Sequence, residues 1–194
     1  MKVLVFDNFL PDAMEERERA LKTEFGTHDV YGKINHSVGY IENEKHCELF
    51  KKALGVETGT CTAYYRRYLE GEPAKEYIHN DGNVANFVGI HWLTHSSHCK
   101  GGLAFWRHKT YGWEKWPEPH DIERIGFKMN GELAKRLLDD GEEESRWEMT
   151  DYVPMAFNRM VVFLGSRYHS RYPKNVDKKT MEESRLVKAF CCTP

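Results

Sequence analysis

His79 and Asp81 stand two residues apart in Tyr77-Ile78-His79-Asn80-Asp81-Gly82, where a strand is expected to run out into a glycine turn. Side chains at i and i+2 of a strand project from the same face. An imidazole nitrogen and a carboxylate oxygen so placed could bind one cation, with a third ligand from elsewhere in the chain. Two histidines and one carboxylate with open positions opposite them suit a non-haem Fe(II) that must also hold a co-substrate and O₂. The spacing alone is a weak signal. With 10 His and 30 Asp plus Glu among 194 residues, about 1.5 such pairs arise by chance. Two occur, and the second, His46/Glu48, lies in residues 43–54, which read as a helix ending at Gly55. On a helix, i and i+2 point to different sides, so that pair cannot share a metal.

The elements that must position such a site are those of one soluble domain. A length of 194 residues suffices for a sizeable core, and 40% hydrophobic with 30% charged residues is ordinary for a globular protein. A net charge of −2 gives no whole-chain electrostatic case for nucleic acid. No apolar run approaches the roughly 20 residues of a membrane span, and the N-terminus lacks a secretory pattern. Five cysteines, without any C-x-x-C spacing, suit reduced thiols and predict a cytoplasmic location.

A first strand over residues 1–7 precedes a helix over 12–25, stopped by Gly26, with Met14, Ala20, Leu21 and Phe25 as its apolar stripe. Residues 27–42 read as loop with a short strand, followed by the helix at 43–54. Strand signals then run through 61–69, 86–94, 103–107, 158–165, 169–172 and 185–191. Residues 108–150, with Trp113, Trp116, a helix around 132–138 and the acidic run 139–144, read as a long insertion over one mouth of the fold. The expected class is α+β with a mainly β core, a jelly roll flanked by N-terminal helices. The expected division is a helical flank over 1–57, a β core over 58–107 and 151–194, and the insertion between.

The third ligand should come from a distant strand. His91, His95 and His98 have the spacing of a helical zinc protease at His91 and His95. They lack the glutamate after the first His, their context is strand, and they read as surface or loop histidines. His169 directly follows the strand at 158–165, and one more strand, beginning at Arg185, comes after it. In this order, His79-Asn80-Asp81, a long interval, His169 and then Arg185, the chain resembles the 2-oxoglutarate/Fe(II)-dependent oxygenases, in particular their prolyl-hydroxylase-like branch. Tyr68 to Gly71 is similar to the family's Tyr-x-x-Gly segment, Gly101-Gly102-Leu103-Ala104-Phe105 to its Gly-Gly-x-Leu-x-Phe strand, and Phe6 to Asp12 to its usual opening. Val187 stands where many members have serine.

The resemblance implies a double-stranded β-helix. It also implies Fe(II) held by His79, Asp81 and His169, and 2-oxoglutarate anchored by Arg185 with help from Tyr68. Oxidative decarboxylation of the co-substrate would be coupled to hydroxylation of an unidentified substrate. Arginine suits the far carboxylate, being permanently charged and able to make a bidentate contact. If Arg185 points inward, so do Val187 and Ala189. Arg171, on the strand face of His169, and Lys179 are rival anion ligands. Retention of Asp81 argues against a halogenase, which needs that position open. Two alternatives are weighed against this reading: a cupin-like metal protein without 2-oxoglutarate, and a non-catalytic jelly-roll binding module. Trp106, Trp113 and Trp116 read as packing of the insertion or as an aromatic wall for a substrate.

Overall fold

The structure, a computed structural model, describes residues 3–30, 33–40, 45–56, 59–71, 77–82, 84–126, 131–175 and 177–194, with only the backbone for 27–30, 33–38 and 40. Along the first half run β1 Leu4–Phe6, α1 Ala13–Lys22, β2 Gly26–Val30, β3 Lys33–Tyr40, α2 His46–Leu54, β4 Thr60–Arg66 and β5 Phe87–Trp92. The second half contributes β6 Gly102–His108, α3 Pro119–Arg124, α4 Gly131–Asp140, β7 Trp147–Pro154, β8 Met160–Leu164, β9 His169–Tyr172 and β10 Val187–Thr193. A seven-stranded antiparallel sheet has the order β1-β8-β5-β10-β4-β3-β2, and a three-stranded one the order β7-β6-β9.

Strand alternation sorts the apolar residues into layers. Val88, Trp92, Val161, Phe163, Val187 and Cys191 of the large sheet meet Leu103, Phe105 and Val153 of the small one in a common core. The opposite face of the large sheet, with Ala63, Met160, Val162 and Phe190, is covered by Phe50 and Cys47 of α2. Ala104 and Trp106, on the outer face of the small sheet, are covered by Ile122 of α3 and Leu133 and Leu137 of α4. Both sheets are therefore buried on both sides at their centres, with helices outside each. No helix among the described residues is long and apolar enough to cross a membrane.

The segment between β6 and β7 thus brings its own helices, and Trp106 and Trp113 are buried beneath them. Strand β7 was not legible as a strand. Its residues bury only Trp147 and Val153, because a register shift opposite Phe105 and Trp106 breaks the alternation. Of residues 27–42, expected as loop with a short strand, 27–30 and 33–40 instead belong to the paired strands β2 and β3 at a sheet edge, and the rest lie outside the described residues. Such a polar edge pair needs no apolar alternation to form.

Helix α1 buries Ala13, Glu16, Arg17 and Ala20, a helical stripe that includes two charges. Glu16 accepts from Lys188 Nζ and Tyr65 Oη, each at 2.5 Å, while Arg17 donates to the Leu93 carbonyl at 2.8 Å. Lys188 Nζ also lies 2.7 Å from His46 Nδ1. Lys188 is fully buried, on the face of β10 opposite Arg185 and Val187, where sequence reading assigned only a strand face. Helix α2 ends at Gly55, whose φ of 69° is a left-handed conformation that glycine adopts without penalty.

At Gly89 a Cβ would lie 2.4 Å from the Phe50 ring, which stacks on Phe190 with centroids 5.0 Å apart. Gly89→Ala is therefore expected to lose about 1–3 kcal/mol of stability through overpacking, read from the urea midpoint.

His91 corrects the expectation of a surface histidine: it is fully buried, with Nε2 2.9 Å from Asn158 Oδ1. Asn158 in turn holds both the N–H and the carbonyl of Leu10, fixing the N-terminal segment. Burial pushes the His91 pKa down from 6.5 to about 4. The unfolded chain therefore binds an extra proton between those values, so stability is lost as pH falls from 6.5 toward 4. At pH 5 this costs about 2 kcal/mol relative to pH 7. His91→Gln should lose correspondingly less between pH 7 and pH 5 in denaturant melts.

Candidate metal centre

The segment carrying His79 is held from two sides. Ile78 N–H donates to the Gly141 carbonyl at the end of α4, and Asp81 N–H to the Gly165 carbonyl beyond β8, at 3.0 and 2.6 Å. A side chain at Gly141 would collide with the Ile78 carbonyl, so glycine permits that close approach. His79 and His169 exchange both backbone hydrogen bonds, at 3.1 and 2.8 Å, as an isolated antiparallel bridge. A directly paired residue couple puts its side chains on one face. The two imidazoles accordingly lie with centroids 4.5 Å apart.

Asp81 completes the group from the same face as His79. Its Oδ1 is 3.8 Å from His79 Nε2 and its Oδ2 3.4 Å from His169 Nε2. One ligand atom from each of the three residues lies within 4.8 Å of the others. Both rings direct Nδ1 at a backbone carbonyl, His79 at Tyr77 O (3.3 Å) and His169 at Arg167 O (2.9 Å). Those acceptors assign the proton to Nδ1 in each neutral ring and leave the Nε2 lone pairs facing the carboxylate. Three acceptors converging on one point repel unless a proton or a cation lies between them. Second-contact carbonyls that fix tautomer and orientation are what metal-binding histidines use.

The electrostatics run the same way. Burial pushes the His79 pKa down to about 4, with the neighbouring His169 adding to the shift. Burial opposes the charge on Asp81, but His169, 3.4 Å away, together with His79 and Arg66 outweighs it and holds the carboxyl well below its usual range. A neutral imidazole and an ionised carboxylate are the ligand forms a divalent cation needs. His169 is 5% exposed, whereas His79 and Asp81 are 22% and 29% exposed, so the group is reachable from solvent.

From this group a narrow cavity runs between the two sheets, and the structure brings Tyr68 and Arg185 to its lining together with His79, Asp81 and His169. Val187 and Ala189 line it too, as the alternation from Arg185 required. Arg185 itself precedes β10 and is paired backbone to backbone with Tyr68, just beyond β4 (3.1 and 3.3 Å). Its guanidinium is buried and donates to the Gly102 carbonyl at 2.5 Å and the Tyr172 carbonyl at 3.5 Å. Burial lowers its pKa to about 10, which leaves it charged at neutral pH. Among the described residues no carboxylate is recorded within salt-bridge distance of it. Of the rival anion ligands, Arg171 lines the cavity, while Lys179 is exposed and lies 3.9 Å from Glu70.

Two lining residues were missed, Tyr64 and Arg66. The signal was present: positions 64, 66 and 68 share one strand face, and the resemblance places Tyr68 beside the co-substrate. Elsewhere the second His/Glu pair is dispersed as its helix requires. His46 is buried against Lys188, while Glu48 is exposed beside Lys51. Asp140, expected in a solvated acidic loop, is buried and met by His108 (3.1 Å), Arg136 (3.1 Å) and Arg146 (3.2 Å). A larger cleft of about 950 Å³, lined by Trp113, Trp116, Asp151 and Arg167 among others, shares no lining residue with the cavity at the triad.

A family model matches residues 72–186, which include the His79–Asp81 pair, His169 and Arg185. The chain belongs to DUF6445, a family of unknown function. No curated protein sequence matches it. Among solved structures this DUF6445 chain is similar to a Pseudomonas putida prolyl-4-hydroxylase, at 13% identity and a TM-score of 0.52 over 98% of this chain and 91% of that one. It is also similar to SnoK, a non-haem α-ketoglutarate-dependent carbocyclase of nogalamycin biosynthesis (14% identity, TM-score 0.53, 98% and 79% covered). AviO1 from Streptomyces viridochromogenes is a third (12% identity, TM-score 0.54, 97% and 89% covered). At such identities the likeness is one of fold, and the fold is that of 2-oxoglutarate-dependent oxygenases.

Proposed function

We propose that this chain is an Fe(II)- and 2-oxoglutarate-dependent dioxygenase built on a double-stranded β-helix, and that it hydroxylates its substrate. The observation that carries the reading is the convergence of two imidazole Nε2 lone pairs and one carboxylate, with both Nδ1–H groups committed to backbone carbonyls. The donor set fits Fe(II): two nitrogens and one oxygen on one face leave positions open on the other. His79, Asp81 and His169 hold the metal. When bound, iron with 2-oxoglutarate supplies the oxidising chemistry, the co-substrate being decarboxylated to succinate and CO₂.

The remaining residues bind and orient. Arg185, in the same cavity, receives the far carboxylate of 2-oxoglutarate, an ionic partner that its buried guanidinium lacks among the described residues. Tyr68 lies beside it, fixed by the paired backbone bonds. Val88, Ile90, Leu103 and Ala189 give the same cavity an apolar lining, which suits the co-substrate's carbon chain. A cupin-like protein without 2-oxoglutarate would have no use for a buried Arg185 in the same cavity as the triad. Five free cysteines accord with a cytoplasmic location.

A thermal-shift matrix tests this directly, with Mn(II) standing in for Fe(II) in air. Mn(II) and 2-oxoglutarate together should raise the melting temperature beyond the sum of their separate effects, because each completes the other's site. Additive or absent shifts in the wild type, matching those of His169→Ala, would sink the reading.

A further inference from the structure

Arg185 lines two pockets. Besides the triad cavity, it borders a separate pocket of about 280 Å³ together with Thr94, His98, Lys100, Asp177 and Lys178. The two carbonyls that hold its guanidinium mark the wall between them. Tyr172, one acceptor, stands in the chain between Arg171 of the triad cavity and Pro173 of the separate pocket. Gly102, the other, precedes Leu103 of the triad cavity. Each carbonyl takes one N–H, so the guanidinium keeps donors for a further ligand.

The separate pocket is assembled from the connections between β5 and β6, β7 and β8, and β9 and β10. Hydrogen bonds to the backbone fix these connections. Met155 N–H donates to the Gly101 carbonyl at 2.9 Å, Glu70 N–H to the Lys178 carbonyl at 2.7 Å, and Leu186 N–H to Thr94 Oγ1 at 2.9 Å. The charge of the lining is uneven. Lys100, Lys178 and Arg185 contribute three cations, and Asp177 is the one acid among the described lining residues. Its carboxylate lies 3.5 Å from Lys100 Nζ, in a pair 70% exposed on both sides, and 3.9 Å from Lys178 Nζ. Exposed pairs of that kind contribute little. The Lys178 side chain is only 12% exposed, and among the described residues no second carboxylate lies within salt-bridge distance of it. A mostly desolvated ammonium and a buried guanidinium beside one solvent-facing carboxylate are costly unless an anion joins them.

We propose that this pocket binds a small molecule carrying a carboxylate or phosphate group, held by Lys178 and Arg185, and that the bound anion opposes 2-oxoglutarate. A carboxylate on the triad side and an anion in the separate pocket share one guanidinium and repel each other across it. By linkage, each weakens the other's binding by the same factor. The antagonism rests on the oxygenase reading, whereas the affinity of the pocket for an anion rests on Lys178 and Arg185 alone.

Calorimetry on the metal-free protein at constant ionic strength, with methylphosphonate and propionate as probes, reads the pocket by itself. One or both should bind the wild type. Lys178→Gln should weaken that binding by about 10-fold or more, the loss of a charged hydrogen-bond donor, and Lys178→Arg should retain most of it. Both variants keep the fold, because the bond between Lys178 and Glu70 is made by the backbone. Which probe binds distinguishes a phosphate ligand from a carboxylate one. Absence of binding by both probes overturns the site. So does binding that Lys178→Gln leaves unchanged, which would put the anion on the triad side of Arg185. For the antagonism, the bound probe should raise the apparent Kd of 2-oxoglutarate, read anaerobically from its charge-transfer band with Fe(II). The rise should be about 5-fold or more and level off as the pocket fills. In Lys178→Gln the same probe concentration should leave that Kd unchanged. A Kd that the probe does not move in the wild type, or moves equally in Lys178→Gln, overturns the antagonism. A wild type without the band sinks the oxygenase reading and the antagonism with it, and the calorimetry still decides the pocket.

Discussion

Asp81→Asn is expected to weaken Fe(II) binding by at least about 100-fold, a larger effect than the 10–100-fold typical of residues that only support a ligand. Asp81 is the only negative charge in the convergent group, since an imidazole bound to a metal is a neutral donor. The amide keeps the size of the carboxylate but removes its charge and replaces one acceptor oxygen with a donor. The variant should still fold, because Asp81 is partly exposed and its backbone N–H bond to Gly165 is untouched. Co(II) absorbance in the visible range measures the loss without oxygen chemistry. An Asp81→Asn protein that binds Co(II) as the wild type does would remove Asp81 from the metal site.

The second large effect concerns Arg185. Arg185 is 5% exposed, and among the described residues its guanidinium bonds only to the carbonyls of Gly102 and Tyr172, so a bound carboxylate would be its sole ionic partner among them. Removing one side of a buried charged contact costs about 2–5 kcal/mol, which is roughly 30-fold to several thousand-fold in affinity. Arg185→Gln should weaken 2-oxoglutarate by at least the lower figure and leave metal affinity nearly unchanged, since Arg185 does not touch the triad. Glutamine retains a donor for the Gly102 carbonyl, so the fold is kept. Equal 2-oxoglutarate affinity in wild type and variant would move the anchor elsewhere, with Arg171 the next candidate.

The site was more legible in the sequence than the fold around it. His79, Asp81, His169, Arg185 and Tyr68, the group that the family resemblance singled out, line one cavity. If Arg185 pointed inward, Val187 and Ala189 had to as well, and all three line the cavity. Where sequence reading fell short, the cause was a long-range partner. Lys188 and Glu16, 172 positions apart, are buried only because each neutralises the other. His91 is buried because Asn158 meets its ring, and Asp140 because His108, Arg136 and Arg146 surround it. Polarity in each case pointed to the surface, and no local pattern announces a buried pair. Strand β7 was hidden by its register shift, and the β2–β3 hairpin by its polar composition.

The buried Lys188–Glu16 pair and the charged cavity lie on opposite faces of the same strand. One face is neutralised within the chain, by Glu16, while on the other Arg185 has no recorded carboxylate partner. This contrast is why Arg185 points to a ligand rather than to architecture.

The most direct measurement is an anaerobic titration of the purified protein with Fe(II) and then 2-oxoglutarate, followed by visible absorption. A metal-to-ligand charge-transfer band that saturates at one equivalent, and that is lost in His169→Ala, is the expected result. A wild type that binds Fe(II) but develops no such band with 2-oxoglutarate would contradict the assignment of this DUF6445 chain as an oxygenase.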